Sequence, residues 1–317
     1  SRCVCTAFRR RISTRGAPFK EHFDETASSY LVTNKLFRRA FLEQHRLRFS
    51  CHQLGEDGLF FVAFYRQNPG CLVVLEKPLA KVHPEIDLVT TPDGRPVAMV
   101  HCNTCTSDLD DWVRLLGEMA AAAGATLSRN ELYTLFYRKA LEGDPDCGGL
   151  VNFNCFSGEP VTGLPDGRPL LVRRPDARFT LANFARVQLY ACLATLKYGL
   201  DILFEEEQVT ADHLLGHGGL FKVPVVGQKL LAGALGVPVS VMQTAGEGGP
   251  CMALLAGYRL HRAEGETLEQ YLHRRIFAGA VGSTVQPDAR DSRGFAAFMK
   301  QYIRCLAVER AAIDALP

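Results

Sequence analysis

His213-Leu214-Leu215-Gly216-His217-Gly218-Gly219-Leu220-Phe221-Lys222-Val223-Pro224 runs from a short apolar segment through a glycine turn to a proline, the order expected of a strand that feeds a helix. The same order returns thirty residues later, with Val237 to Met242, then Gly246-Glu247-Gly248-Gly249, then Pro250. Both turns read G-x-G-G, and each has a proline at or near the first helical turn, where its missing amide costs nothing. Clustered glycines at the end of a strand let backbone lie flush against a flat or anionic ligand, and the next helix adds its partial positive charge. This is chemistry suited to a nucleotide, although such glycines also serve plain strand-to-helix turns. Neither turn meets G-x-G-x-x-G, and the chain has no G-x-x-x-x-G-K-[ST] and no G-x-S-x-G. A dinucleotide fold, a P-loop and a serine hydrolase are therefore unsupported. Lys222 reads as solvent-exposed and His217 as a turn residue.

Working back from these units, strands and helices alternate from about residue 71. Ile86 to Thr91 and Val97 to His101 flank Pro92-Asp93-Gly94-Arg95, and Asp-Gly supplies the positive φ of a tight hairpin. Ser107 or Asp108 is placed to cap a helix with Leu109, Trp112, Val113, Leu116 and Met119 on one face, ending near Gly124. Asp108, Asp110 and Asp111 suit the positive end of that helix without any metal. Ser128-Arg129-Asn130-Glu131 is a capping box that opens a second helix. Gly148 to Phe153 reads as a strand. Thr180 opens a long helix, to about Glu205, apolar on most sides and needing cover on several faces. A last helix, from about Arg293 to Leu316, carries Phe295, Phe298, Ile303 and Leu306 as a packing stripe, with Arg304 on its solvent side.

The bulk composition fits a soluble globular protein, with 317 residues, 47% hydrophobic and 22% charged. No run approaches eighteen consecutive apolar residues, so no segment is expected to span a membrane. A net charge of +2 gives no reason to expect nucleic acid or an anionic surface as partner. The average conceals two unlike parts. Residues 1–70 carry +6 and nine of the 19 Phe, whereas the remainder carries −4. The first twenty residues hold six basic and no acidic side chains, which is compositionally like a transit peptide, while a misjoined reading frame or an exposed basic stretch is the plainer account. Eleven Cys are spread singly through apolar segments and read as buried thiols in a reducing, cytoplasmic setting. Cys102-Asn103-Thr104-Cys105 offers two corners for zinc and lacks the second pair that a structural site needs.

From residue 71 onward the order of these elements resembles the C-terminal domain of the FGGY family of carbohydrate kinases, of the xylulokinase and ribulokinase type. The words that carry the likeness are Val73-Val74-Leu75-Glu76-Lys77-Pro78-Leu79, Thr106 to Leu116, Gly149-Leu150 through Phe156-Ser157-Gly158-Glu159, the helix from Thr180, Gly218-Gly219 to Gln228, and Ala245 to Gly249. The resemblance implies an α/β fold of the actin-like ATPase type, a ribonuclease H-like mixed sheet flanked by helices. It divides the chain into 1–70, a basic segment unmatched to the family, and 71–317, a nucleotide-binding domain. ATP and Mg²⁺ are the implied cofactors, and a pentulose or related polyol the implied substrate. Gly218 and Gly219 would approach the adenine and ribose, with Leu220 and Val223 along the same turn. Thr106 and Ser107 would lie near the phosphates, and Gly248 and Gly249 would shape the neighbouring turn. By the resemblance, the family's catalytic Asp and first phosphate loop belong to an N-terminal domain of about 200 residues or more, which is not expected within these residues. The expected G-T-S turn before Val73 is replaced by Tyr65-Arg66-Gln67-Asn68-Pro69-Gly70. On this reading no catalytic residue is present and the chain alone is inactive; the alternative is a non-enzymatic actin-like ATP-binding module. A homo-oligomer is compatible with the sequence, which does not specify oligomeric state.

Overall fold

The computed structural model describes residues 2–7, 70–91, 94–104, 106–242, 257–278 and 281–316. Its main sheet has seven strands: β1 (Arg2–Ala7), β2 (Gly70–Val74), β3 (Asp87–Thr90), β4 (Pro96–His101), β7 (His213–Gly218), β8 (Val239–Met242) and β9 (Gly282–Val285). They lie side by side in the order β3-β4-β2-β1-β7-β8-β9. β1 pairs parallel with β7 and antiparallel with β2, β2 antiparallel with β4, and β7 parallel with β8. β4, β1, β7 and β8 therefore point one way, and β3, β2 and β9 the other. A separate antiparallel pair joins β5 (Leu150–Phe153) to β6 (Leu170–Arg173).

The hairpin read from the sequence is β3–β4, with Gly94 at φ +87°; Pro92 and Asp93 lie outside the described residues. β1 is an addition to the sequence reading, which set residues 1–70 apart from the sheet. It occupies the centre, between β2 and β7.

The described helices include α1 (Ser107–Ala122), α2 (Arg129–Glu142), α3 (Leu181–Asp201), α4 (Val226–Leu235), α5 (Leu268–Tyr271) and α6 (Ala289–Ala315). Where local chemistry decides, they start as read. Ser128 and Glu131 form the capping box of α2, and Thr180 Oγ1 accepts from the Asn183 amide to cap α3. α1 differs: its N-cap is Thr106 and not Ser107 or Asp108, the two residues offered by the sequence, and Asp108 turns inward. α6 starts earlier than expected, capped by Asp288, which accepts from the Arg290 and Asp291 amides. Its stripe is Phe295, Phe298, Met299, Tyr302 and Leu306; Ile303 falls to the flank of that repeat and is exposed. Arg304 is exposed, as read. Met119 also departs from its expected buried face, because the last turns of α1 run past the core.

α3 is the packing axis, buried along almost its whole length. Gly199 is required where it crosses β4, since a Cβ there would lie 2.5 Å from Val100 Cγ1. With its following π turn, α3 is long and apolar enough to cross a membrane, contrary to the reading of uninterrupted apolar runs, and most of that length is buried inside the protein. Its polar interruption, Arg186, is satisfied within the fold by Gly143 O (2.8 Å), Asp291 Oδ1 (2.5 Å) and Tyr190 Oη (3.2 Å).

Candidate functional site

The register of the sheet sets the site. Thr6 pairs with both Gly70 and His217, and Gly70 pairs with His101, so His101, Gly70, Thr6 and His217 form one row across four strands. The loops after β4 and β7 consequently leave the same edge at the same level. Two strands separate them, which puts about three inter-strand spacings, roughly 14 Å, between their starting points. β8 ends at this edge as well, since Gly216 pairs with Val241. Open sheets of this kind bind ligands beyond the carboxyl ends of their parallel strands.

At the end of β7 the backbone is laid bare. Gly218 has φ +98° and ψ −163°, a conformation essentially restricted to glycine. Among the described residues no atom lies within 4 Å of the Cβ that Gly219 lacks. The other two glycines of this stretch serve packing instead. A Cβ at Gly216 would meet the Phe221 ring at 2.6 Å, and one at Gly227 the Leu220 carbonyl oxygen at 2.3 Å. Leu220 and Val223 send their side chains into the core, so they hold the turn from beneath and offer a ligand only backbone. Lys222 is exposed, as read, whereas His217, read as a turn residue, is half-buried within β7, where it pairs with Thr6. Val225, at φ +72°, is a strained β-branched residue immediately before α4. α4 starts there, two residues beyond the expected Pro224, and Gln228 ties it to the carbonyls of Val239 (3.1 Å) and Ser283 (2.8 Å).

The β4–α1 connection is held tightly. Thr106 is half-buried and makes no side-chain cap, and Ser107 is exposed at the first helical position. Upstream, Glu159 Oε1 accepts from the amides of Asn103 and Thr104, both at 2.9 Å, and its Oε2 accepts from Asn103 at 3.1 Å. Thr104 Oγ1 accepts from the Phe156 amide (3.2 Å), and Asn154 Nδ2 donates to Thr104 O (3.2 Å). Downstream, Asp108 accepts from Trp112 Nε1 (3.2 Å), and Asn152 and Gln188 exchange two hydrogen bonds of 3.1 Å beneath it. Burial raises the Asp108 carboxyl above its usual range, against the hydrogen bonds from Asn152 and Trp112. Burial also pushes Asp110 up to about 6, against the pull of Arg129. Helix polarity alone, the sequence account of these acids, therefore describes Asp111, exposed beside Arg114, better than Asp108. Trp112 packs edge-on against Phe184, with ring centroids 4.9 Å apart.

Sequence reasoning passed over Glu159 as a functional residue. The signal was present, a glutamate between glycine and proline in a loop after a strand, but its partners lie more than fifty residues away. Gly248 and Gly249 lie outside the described residues, as does Cys105. Cys102 is buried. Among the described residues no three His, Cys, Asp or Glu gather as a metal site.

The edge thus brings together an open backbone step at Gly218–Gly219 and the N-terminus of α1, whose first turn also carries Asp108 and Asp110.

Comparison with known proteins bears on this edge. A profile described as the FGGY family of carbohydrate kinases, C-terminal domain, matches residues 70–260. Among solved structures, the chain is similar to a xylulose kinase from Lactobacillus acidophilus at 15% identity and TM-score 0.59, covering 78% of this chain and 47% of that one. A xylulose kinase from Rhodospirillum rubrum gives 16% identity and TM-score 0.58, over 76% and 45%. A glycerol kinase from Plasmodium falciparum, solved with ADP, gives 13% identity and TM-score 0.53, over 77% and 45%. The chain thus spans a little under half the length of these proteins, and at such identities the likeness is one of fold. No match is found among curated proteins.

Proposed function

The chain belongs to the FGGY family of carbohydrate kinases, and from that premise we propose that it is the nucleotide-binding half of an enzyme that phosphorylates a pentulose or related polyol. The observation that carries the reading is the open backbone step at Gly218–Gly219, on the same sheet edge as the start of α1. Gly218 and Gly219 would receive adenine and ribose, the backbone at Leu220 and Val223 would continue that wall, and Thr106 and Ser107 would face the phosphates. Gly248 and Gly249, following β8, would shape the adjoining turn. ATP, with Mg²⁺ on its phosphates, supplies the phosphoryl group for in-line transfer to a sugar hydroxyl. The work of this chain's residues is to bind and orient that nucleotide. We assign no catalytic residue here, because the base that takes the sugar proton belongs, by family resemblance, to the other domain; the chain alone is expected to be inactive. A cytoplasmic setting suits the reduced thiols.

The test is calorimetry with MgADP together with coupled ATP turnover on xylulose, ribulose and similar sugars. Saturable MgADP binding without sugar-dependent turnover is expected. Robust turnover by this chain would overturn the half-enzyme reading, and absence of nucleotide binding would overturn the site.

A further inference from the structure

We infer that Glu159 is the positioning residue of the phosphate side of the site, a buried carboxylate that sets the path of the loop from β4 into α1. The inference deepens the nucleotide reading and rests on it. Glu159 is 1% exposed. A charge so far from water is costly unless hydrogen bonds hold it, and here backbone amides do so. The Asn103 and Thr104 amides converge on its two oxygens at 2.9–3.1 Å, and Asn103 Nδ2 returns to the neighbouring Gly158 carbonyl at 2.5 Å.

Two consequences follow from that geometry. The first two amides beyond Cys102 are committed to Glu159, so they are closed to phosphate, and among the described residues the donors left for an anion begin at Thr106. The direction in which those donors point is fixed by the carboxylate, because the connection from His101 to Ser107 is only five residues long and two of them are pinned. Pro160 follows directly and opens a 3₁₀ turn, and the Glu159 backbone pairs with Leu164 in an isolated bridge. The carboxylate is thus mounted on a constrained segment, as a positioning group requires.

The experiment uses the full chain and two variants, with MgADP as probe in calorimetry and with amide hydrogen exchange read residue by residue. In Glu159→Ala the Asn103 and Thr104 amides are expected to lose protection while those of α3 keep theirs, and the MgADP Kd to rise about tenfold, the worth of one charge-assisted hydrogen bond. Glu159→Gln keeps one acceptor oxygen and is expected to restore most of both readouts, a rescue that a merely structural defect would not follow. Should the alanine variant fail to fold, the glutamine variant still decides, through a Kd about twofold weaker than wild type and exchange raised at Asn103 in particular. Unprotected amides with unchanged MgADP affinity would overturn the positioning role and leave the nucleotide reading standing. A wild-type chain that binds no MgADP would overturn that reading, and the role with it.

Discussion

The two edges of the main sheet use one chemical device for different ends. At the edge where β4, β1, β7 and β8 finish, Glu159 gathers the amides of Asn103 and Thr104. On the connection that enters β7 from the other edge, Glu207 gathers those of Ala80 (2.6 Å) and Lys81 (3.3 Å) and pairs with His83 Nε2 at 2.7 Å. Lys81 adds a bond to Glu206. Both carboxylates fix a loop to the end of a distant element. Open space around a missing Cβ occurs at both edges among the described residues, at Gly219 on the first and at Gly94 and Gly236 on the second. What separates them is that the first lies where the parallel strands end and sets Gly219 beside Gly218, with φ +98° and ψ −163°. A loop clamp by itself therefore marks a well-anchored fold, and it becomes part of a binding site only where a bare surface lies beside it.

The contrast can be broken by filling glycines. Gly227→Val has the largest expected effect: its Cβ would collide with the Leu220 carbonyl oxygen, and overpacking of this kind should cost about 3 kcal/mol of stability, read as a lowered denaturation midpoint. Gly219→Val meets open space, so it should leave the midpoint within about 0.5 kcal/mol of wild type. It should nevertheless weaken MgADP binding by about a hundredfold, the cost of displacing a ring from its wall. Equal loss of stability in both variants would erase the distinction between a packing glycine and a ligand glycine.

Acid and base sharpen the same contrast, with opposite signs. Asp110, at the start of α1, is raised to about 6 by burial. It therefore costs nothing below the usual carboxylate range, and the cost grows as pH rises through 6. Asp110→Asn should stabilise the chain by about 2 kcal/mol at pH 8 and leave it unchanged near pH 3.5, measured by denaturation at the two pH values. Glu207 is held below its usual value by the Ala80 amide and His83. Its contribution is present above the ordinary glutamate range and lost on acidification. Glu207→Gln should lower stability at neutral pH, flatten the acid limb of the profile below about pH 4.3, and leave MgADP affinity alone.

What could be read from sequence follows from how local each feature is. The Ser128–Glu131 box, the Thr180 cap and the β3–β4 hairpin are each settled within a few residues and appear where they were expected, whereas β7 runs on through Gly218 and takes in three residues of the expected glycine turn because they pair with β1. β1 was illegible because its partners are Gly70–Val73 and His213–Gly218, and nothing in a six-residue strand, Arg2 to Ala7, announces them. Asp108 misled for a related reason. A helix start attracts acids for its own sake, whereas this one is drawn inward by Trp112 on its own helix and by Asn152 on β5. Glu159 escaped because a carboxylate serving two amides across the fold leaves no periodic trace.

The most direct test of the central claim is residue-resolved hydrogen exchange of the full chain with and without saturating MgADP. New protection confined to residues 101–108 and 216–226 is the expected result. Protection that appears instead around Ala80 to His83 and Glu207, or none at all, would contradict a nucleotide site at the Gly218–Gly219 edge.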